Sequence, residues 1–223
     1  MKTIIFDSST IISLATNDLL WILKDLKKYF DGRFVIPESV KIELVDNPFN
    51  SKYYKLEAIM INNYINKGYL EVYKAIDVEN LLDISNKICY ADDKNLVILH
   101  KAEIEALALA SKINADAYSV DERTMRLMIE NPFRLRKLLE RKLERKISIN
   151  KENLKKFESM TVKIPIIRST ELALIAYEKG LFKDLINDNV KEKDLVEALL
   201  WGLKMRGCSI SDKEIEEIGR SEL

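Results

Sequence analysis

The chain has 223 residues, with 36 basic and 36 acidic side chains and a formal net charge of zero. A hydrophobic fraction of 47%, with only 6 glycines and 4 prolines, excludes a disordered or fibrous chain and leaves material for a sizeable core. Net neutrality neither requires nor forbids a polyanionic partner, so only local patches bear on that question.

Residues 3–6 are apolar or β-branched and run straight into Asp7, which reads as a strand buried on both faces and ending in a carboxylate. Asp7 also breaks the N-terminal apolar run, and no small-residue cleavage site follows, so a signal peptide is not expected. No window approaches the roughly 18 apolar residues of a membrane span. Asn17 and Asp18 suit the start of a helix in which Leu19, Ile22, Leu23 and Leu26 have helical spacing. Asp31-Gly32 marks a turn, and residues 33–36 a second strand. Pro37 suits the first turn of a helix with Val40 and Leu44 on one stripe and Glu43 beside it. Asn47-Pro48 should end that helix.

Residues 53–67 read as a helix closed by Gly68, and 69–74 alternate like a strand. A helix is expected at 78–88, and Asp92-Asp93 could cap another ending near His100. Residues 103–113 form an alanine-rich helix whose small residues allow close approach to a sheet. Residues 116–120 are a further strand, ending in Asp121-Glu122-Arg123. Between Arg134 and Lys156 ten basic residues face three acidic ones, a local excess of seven positive charges. A last strand is expected within 161–167, then a helix over 171–179 capped by Thr170 and closed by Gly180, then helices near 191–206 and 211–218. Alternating strands and helices predict an α/β fold with a central, mainly parallel sheet in a single domain over 1–223. Cys89 and Cys208, far apart and without metal-ligand spacing, read as reduced core thiols of a cytoplasmic protein.

Four acidic positions hold comparable places: Asp7 after the first strand, Glu43 after the second, Glu105 early in the alanine-rich helix, and Asp121-Glu122 after the strand at 116–120. Elements leaving the C-terminal edge of a parallel sheet could bring them to one crevice. Clustered carboxylates repel one another, and a hard divalent cation such as Mg²⁺ or Mn²⁺ relieves that repulsion. Such ions activate water and stabilise in-line displacement at a phosphodiester. Each acid alone has a plain reading as a cap or solvated residue; the ordered set carries the signal.

The motifs also carry a family resemblance. IIFDSSTIISL, FVIPESVKIEL, HKAEIEALALA and SVDERTMR resemble, in order, the four acidic motifs of the PIN-domain family of metal-dependent nucleases, which includes many toxin ribonucleases. KIPIIRSTELALIAYEKGLF and LLWGLKMRGCSISDKEIEEI resemble the last strand and closing helices of a subgroup. The resemblance implies a three-layer α/β/α sandwich, with the basic segment at about 124–160 a helical insertion before the last strand, and a metal-dependent endoribonuclease with Asp7, Glu43, Glu105 and Asp121 as catalytic acids. Asp7, Glu105, Asp121 and Glu122 would be the metal ligands. In the third motif Ala102 stands where the family has Gly. In the fourth, Glu122 stands where the subgroup has a second Asp, so either Asp121 or Glu122 could touch the metal. Because residues 103 and 105 lie on roughly opposite helix faces, Glu103 is assigned to capping or a supporting position.

Ser9 is either a helix cap or a hydroxyl beside the metal. Arg123 and Arg126 either hold substrate phosphate or pair with nearby acids, and His100 reads as a helix-end residue. Leu135, Leu138, Leu139 and Leu143 give the basic insertion an apolar stripe, so it is either a packed arm or dimer contact, or an RNA-binding surface through Arg141, Lys142 and Arg145. RNA, an antitoxin protein and a second copy of the chain are the expected partners, and no membrane. Two other readings compete: a catalytically silent PIN scaffold that binds RNA or protein, and a haloacid-dehalogenase-like phosphatase with Asp7 as nucleophile. The second wants another Asp where Ser9 stands.

Overall fold

The structure, a computed structural model, describes residues 1–221. In chain order the first elements are β1 (Lys2–Phe6), α1 (Ser8–Thr16), α2 (Ile22–Phe30), β2 (Gly32–Pro37) and α3 (Glu38–Lys41). A π-helical turn (Ile42–Asp46) joins α3 to α4 (Asn47–Phe49), and α5 (Lys55–Asn66) and β3 (Glu71–Tyr73) follow. The middle of the chain forms α6 (Glu79–Ser85), β4 (Cys89–Ala91), β5 (Lys94–Asn95), α7 (Lys101–Lys112) and β6 (Ala117–Ser119). Then come α8 (Arg123–Glu130), α9 (Pro132–Leu143), β7 (Ser148–Ile149) and α10 (Lys151–Met160). The chain closes with β8 (Ile166–Ile167), α11 (Ser169–Glu178), α12 (Glu192–Met205) and α13 (Asp212–Ser221).

Five strands make one wholly parallel sheet in the order β3-β2-β1-β6-β8. Ile4 lies opposite both Phe34 and Ala117, which puts β1 in the centre. Strand side chains alternate between faces. Ile4 and Phe6 of β1, with Phe34 and Ile36 of β2, pack with α1, α2, α11 and α12, where Phe6 meets Phe34 edge-on at 5.2 Å. Ile5, Val35, Tyr118 and Val120 pack instead with α6, α7, α8, α9 and α10. The result is the three-layer sandwich expected. A Cβ at Gly32 would lie 2.6 Å from the Lys2 carbonyl oxygen, so only glycine lets β2 start against β1.

The insertion is not purely helical. Its strand β7 pairs antiparallel with β4, and β4 pairs antiparallel with β5, giving a small second sheet. Asp92 and Asp93 do not cap a helix; both have positive φ, 47° and 58°, and make the tight turn between β4 and β5. The leucine stripe of α9 is spent within the chain: Leu135 and Leu139 are buried in the same core as α7, and Leu138 packs against it, leaving Leu143 exposed. Three other expectations change. Asn47-Pro48 does not end the helix, which runs on as α4. Arg168 rather than Thr170 precedes α11. A helix, α1, starts directly after Asp7. Both cysteines are buried free thiols, and among the described residues no helix is long and apolar enough to cross a membrane.

Candidate active site

Strands β1, β2 and β6 point their C-terminal ends at one cleft of about 560 Å³. Asp7, Glu43, Glu103 and Glu122 line it, together with Ser8, Ser9, Ile12, Leu44, Pro48, Tyr54, His100 and Ala102. Four chain segments thus deliver four carboxylates to one place.

Asp7 is the N-cap of α1, buried at 1% exposure. Its Oδ2 accepts from the Ser9 backbone N–H at 3.0 Å and from the Ser9 hydroxyl at 2.5 Å. Its Oδ1 is buried with no hydrogen-bond partner among the described residues. Burial pushes the Asp7 carboxyl up to about 6 against the pull of the Ser9 bonds, and the charge of Glu43 adds to the rise. Glu43 reaches the cleft because α3 passes into a π-helical turn there; a wider turn shifts the following side chains round the helix, and such turns recur at functional sites.

Glu103 and Glu122 both serve as caps while facing the cleft. Glu103 accepts from the His100 backbone N–H at 2.7 Å at the start of α7. Burial raises its carboxyl to about 8, with the charges of Asp7, Glu122 and Glu43 adding to the effect. Glu122 is the N-cap of α8 and accepts from the Met125 N–H at 2.8 Å. Ser9 ties the arrangement together. Its hydroxyl donates to Asp7 and accepts from the backbone N–H groups of Asp121 at 3.0 Å and Glu122 at 3.3 Å. It is therefore neither a helix cap nor an open hydroxyl, but a clamp between β1 and the end of β6.

Two acids expected in this cleft lie outside it. Glu105 is 1% exposed and turned the other way on α7, where it accepts from the Ile76 N–H at 3.1 Å and lines an adjoining recess with Glu38, Ser39 and the far side of Glu43. Asp121 is fully buried behind the cleft. It accepts from the Ser169 N–H at 2.7 Å, the Ser169 hydroxyl at 2.6 Å and the Thr10 hydroxyl at 3.5 Å. Burial raises its carboxyl and the Ser169 bonds oppose the rise. Two hydroxyls and an N–H already occupy Asp121, so its place is that of a structural lock joining β6, α1 and α11. Residues 103 and 105 do lie on opposite faces of α7, and it is Glu103, not Glu105, that faces the cleft. The available signal was position: residue 103 is the third residue of α7 after His100, at the end that meets the strand edges.

Arg123 is exposed at the start of α8. Of the two alternatives for Arg126, the ion pair with an acid is not formed among the described residues; it donates to the Ser209 carbonyl at 3.2 Å, and its Nε is buried without a partner among those residues. Arg168, which nothing in the sequence marks out, donates to the same carbonyl at 3.2 Å and pairs with Glu171 and Glu214. The two arginines pin the α12–α13 connection beneath the site. Arg141 and Lys142 are exposed at the C-terminal end of α9 and Arg145 is exposed just beyond it, 3.9 Å from Asp92 of the β4–β5 turn.

A parallel sheet with a carboxylate-lined cleft at its C-terminal edge is the ligand-binding arrangement of an open α/β protein. The chain belongs to the PIN-domain family: a family model described as a PIN domain matches residues 3–131, which span all four acidic segments. PIN domains are generally nucleases and typically use divalent metals. Comparison with curated proteins and with solved structures gave no match. As placed, no group of three or more Asp, Glu, His or Cys side chains among the described residues is gathered closely enough to hold a metal ion. The four acids share a cleft without converging on one point.

Proposed function

We propose that this chain is a metal-dependent endoribonuclease that hydrolyses RNA phosphodiester bonds, with Asp7, Glu43, Glu103 and Glu122 holding Mg²⁺ or Mn²⁺. The observation that carries this reading is the buried Oδ1 of Asp7, without a hydrogen-bond partner among the described residues, in a cleft with three more carboxylates. A buried carboxylate oxygen without a donor is costly, and like charges around it raise the cost. The donor set is all oxygen, which suits a hard divalent ion, and exposed Glu43 has the freedom to swing onto one. When bound, such an ion supplies acidified water and charge compensation at the phosphate. The chain's own residues supply the rest. Ser9 holds Asp7 and the start of α8 in register. The backbone caps hold Glu103 and Glu122 facing inward. The basic insertion, through Arg141, Lys142 and Arg145, contributes sequence-blind attraction for the RNA backbone.

Asp7→Asn tests the reading. The variant keeps the cap to Ser9 but loses the charge. Expected is a fall of at least a hundredfold in Mn²⁺-dependent cleavage of a structured RNA, with an unchanged circular dichroism spectrum; equal cleavage by the two proteins refutes it.

A further inference from the structure

An acidic cleft repels the polyanion it is proposed to act on, so the strand must be held at the rim by other means. The rim offers one such feature. From the α4–α5 connection into the first turn of α5, Lys52-Tyr53-Tyr54-Lys55-Leu56 is exposed throughout, with Tyr53 at 78% and Tyr54 at 58% exposure. Tyr54 lines the cleft that holds Asp7, Glu43, Glu103 and Glu122, beside Pro48. Its backbone sits in the left-handed region, φ 58° and ψ 19°, which a bulky side chain rarely adopts. That conformation stops α5 one residue short and leaves both rings outside the helix. Phe49, half-exposed, lies alongside with the Lys55 ammonium 5.4 Å from its ring centroid. Aromatic rings interleaved with lysines suit a single strand: each base has a face to stack, and each phosphate needs a cation.

We propose that the Lys52–Lys55 lip is a stacking platform for single-stranded nucleic acid, Tyr54 receiving a base at the mouth of the acidic cleft while Lys52 and Lys55 meet the flanking phosphates. The proposal rests on the nuclease reading only for where the reacting phosphate lies. A duplex keeps its bases stacked inside and offers Tyr54 nothing, so the platform makes the protein selective for unpaired segments. Tyr54 is a positioning residue, since it touches a base rather than the phosphate.

The test is binding in the presence of chelator, where no cleavage occurs, of a fluorescent single-stranded 12-nucleotide RNA, its DNA equivalent, an abasic version and a duplex. Wild type is expected to prefer the single strands. Tyr54→Gly, which also relieves the positive φ and so does not threaten folding, should weaken single-strand binding about tenfold or more. Tyr54→Phe should restore it, and abasic strands should bind wild type as weakly as normal strands bind Tyr54→Gly. Lys52→Ala with Lys55→Ala should reduce the salt slope by about 1 to 2. Equal binding by wild type and Tyr54→Gly, or a wild-type preference for duplex, overturns the proposal. So does Tyr54→Gly turning an oligomeric wild type into a monomer without loss of nucleic-acid binding, which would assign the lip to a second copy. Single-strand binding through Tyr54 without metal-dependent cleavage would sink the nuclease reading and leave the platform standing. Cleavage with kcat/KM unchanged in Tyr54→Gly would do the reverse.

Discussion

Asp7 divides its two oxygens between jobs. One is consumed by Ser9, which fixes the side chain; the other is buried with no hydrogen-bond donor among the described residues. Glu103 makes a similar division, capping α7 with one oxygen, and its carboxyl is pushed up to about 8 by burial among neighbouring acids. A folded-state value raised from 4.5 means the folded chain binds its proton more tightly than the unfolded one. The stability this gives is fully present below about pH 4.5 and is lost as pH rises through about 8. In metal-free protein, Glu103→Gln should therefore raise the melting temperature at pH 9, by the equivalent of about 1–2 kcal/mol because water at the cleft mouth screens part of the effect, and should change little at pH 4. Differential scanning fluorimetry across that range checks it; a mutant less stable at pH 9 contradicts the cleft's electrostatics. The same change should cost Mn²⁺-dependent cleavage at least tenfold, whereas Glu105→Gln, facing the Ile76 N–H, should leave the rate within about threefold if its neighbours hold. At this scale the identity of Asp7 and Glu43 was legible because strand and helix periodicity placed them. The choice between residues 103 and 105 was not, because both satisfy the motif and only the orientation of α7 against the sheet separates them.

At the scale of elements, β1, β2, α7 and β6 were legible for a plain reason: continuous apolar runs and alanine spacing survive burial on two faces. The π-helical turn around Glu43 was not, since residues 38–49 read equally well as ordinary helix, and the extra backbone width has no composition of its own. Nor was the β4–β5 hairpin, where Asp92-Asp93 is as good a cap pair as a turn pair until Cys89 and Tyr90 find Ile149 and Ser148 from sixty residues away. That long-range pairing also ties α9 and α10 to the rest of the fold, with Leu135, Leu139 and Leu154 turned inward and Arg134, Lys137, Arg141 and Lys142 exposed. If its outward face meets RNA, reversing the charge of Arg141, Lys142 and Arg145 together should lower the magnitude of the logarithmic salt slope of binding by about 2 or more, with the melting temperature little changed. An unaltered slope would return the segment to a purely architectural part.

For the whole molecule, the zero net charge conceals a division: an acidic mouth in one place and a stretch from Arg134 to Lys156 with seven excess positive charges in another. Folding has to hold the acidic mouth together against its own repulsion, and an ion bound only by the folded state stabilises it by mass action. Mn²⁺ at about a hundred times its dissociation constant should raise the melting temperature by roughly 5–10 °C, and Asp7→Asn should abolish most of that rise. A metal-independent melt would refute the proposed site irrespective of any activity assay.

The Ser9 clamp has a consequence for how the protein comes into being. Its hydroxyl must meet backbone N–H groups at positions 121 and 122, and Asp121 must in turn meet Ser169. Neither meeting can happen on a nascent chain until those later residues have left the ribosome. The mouth is thus completed only after residue 169 has emerged, late in the synthesis of the chain.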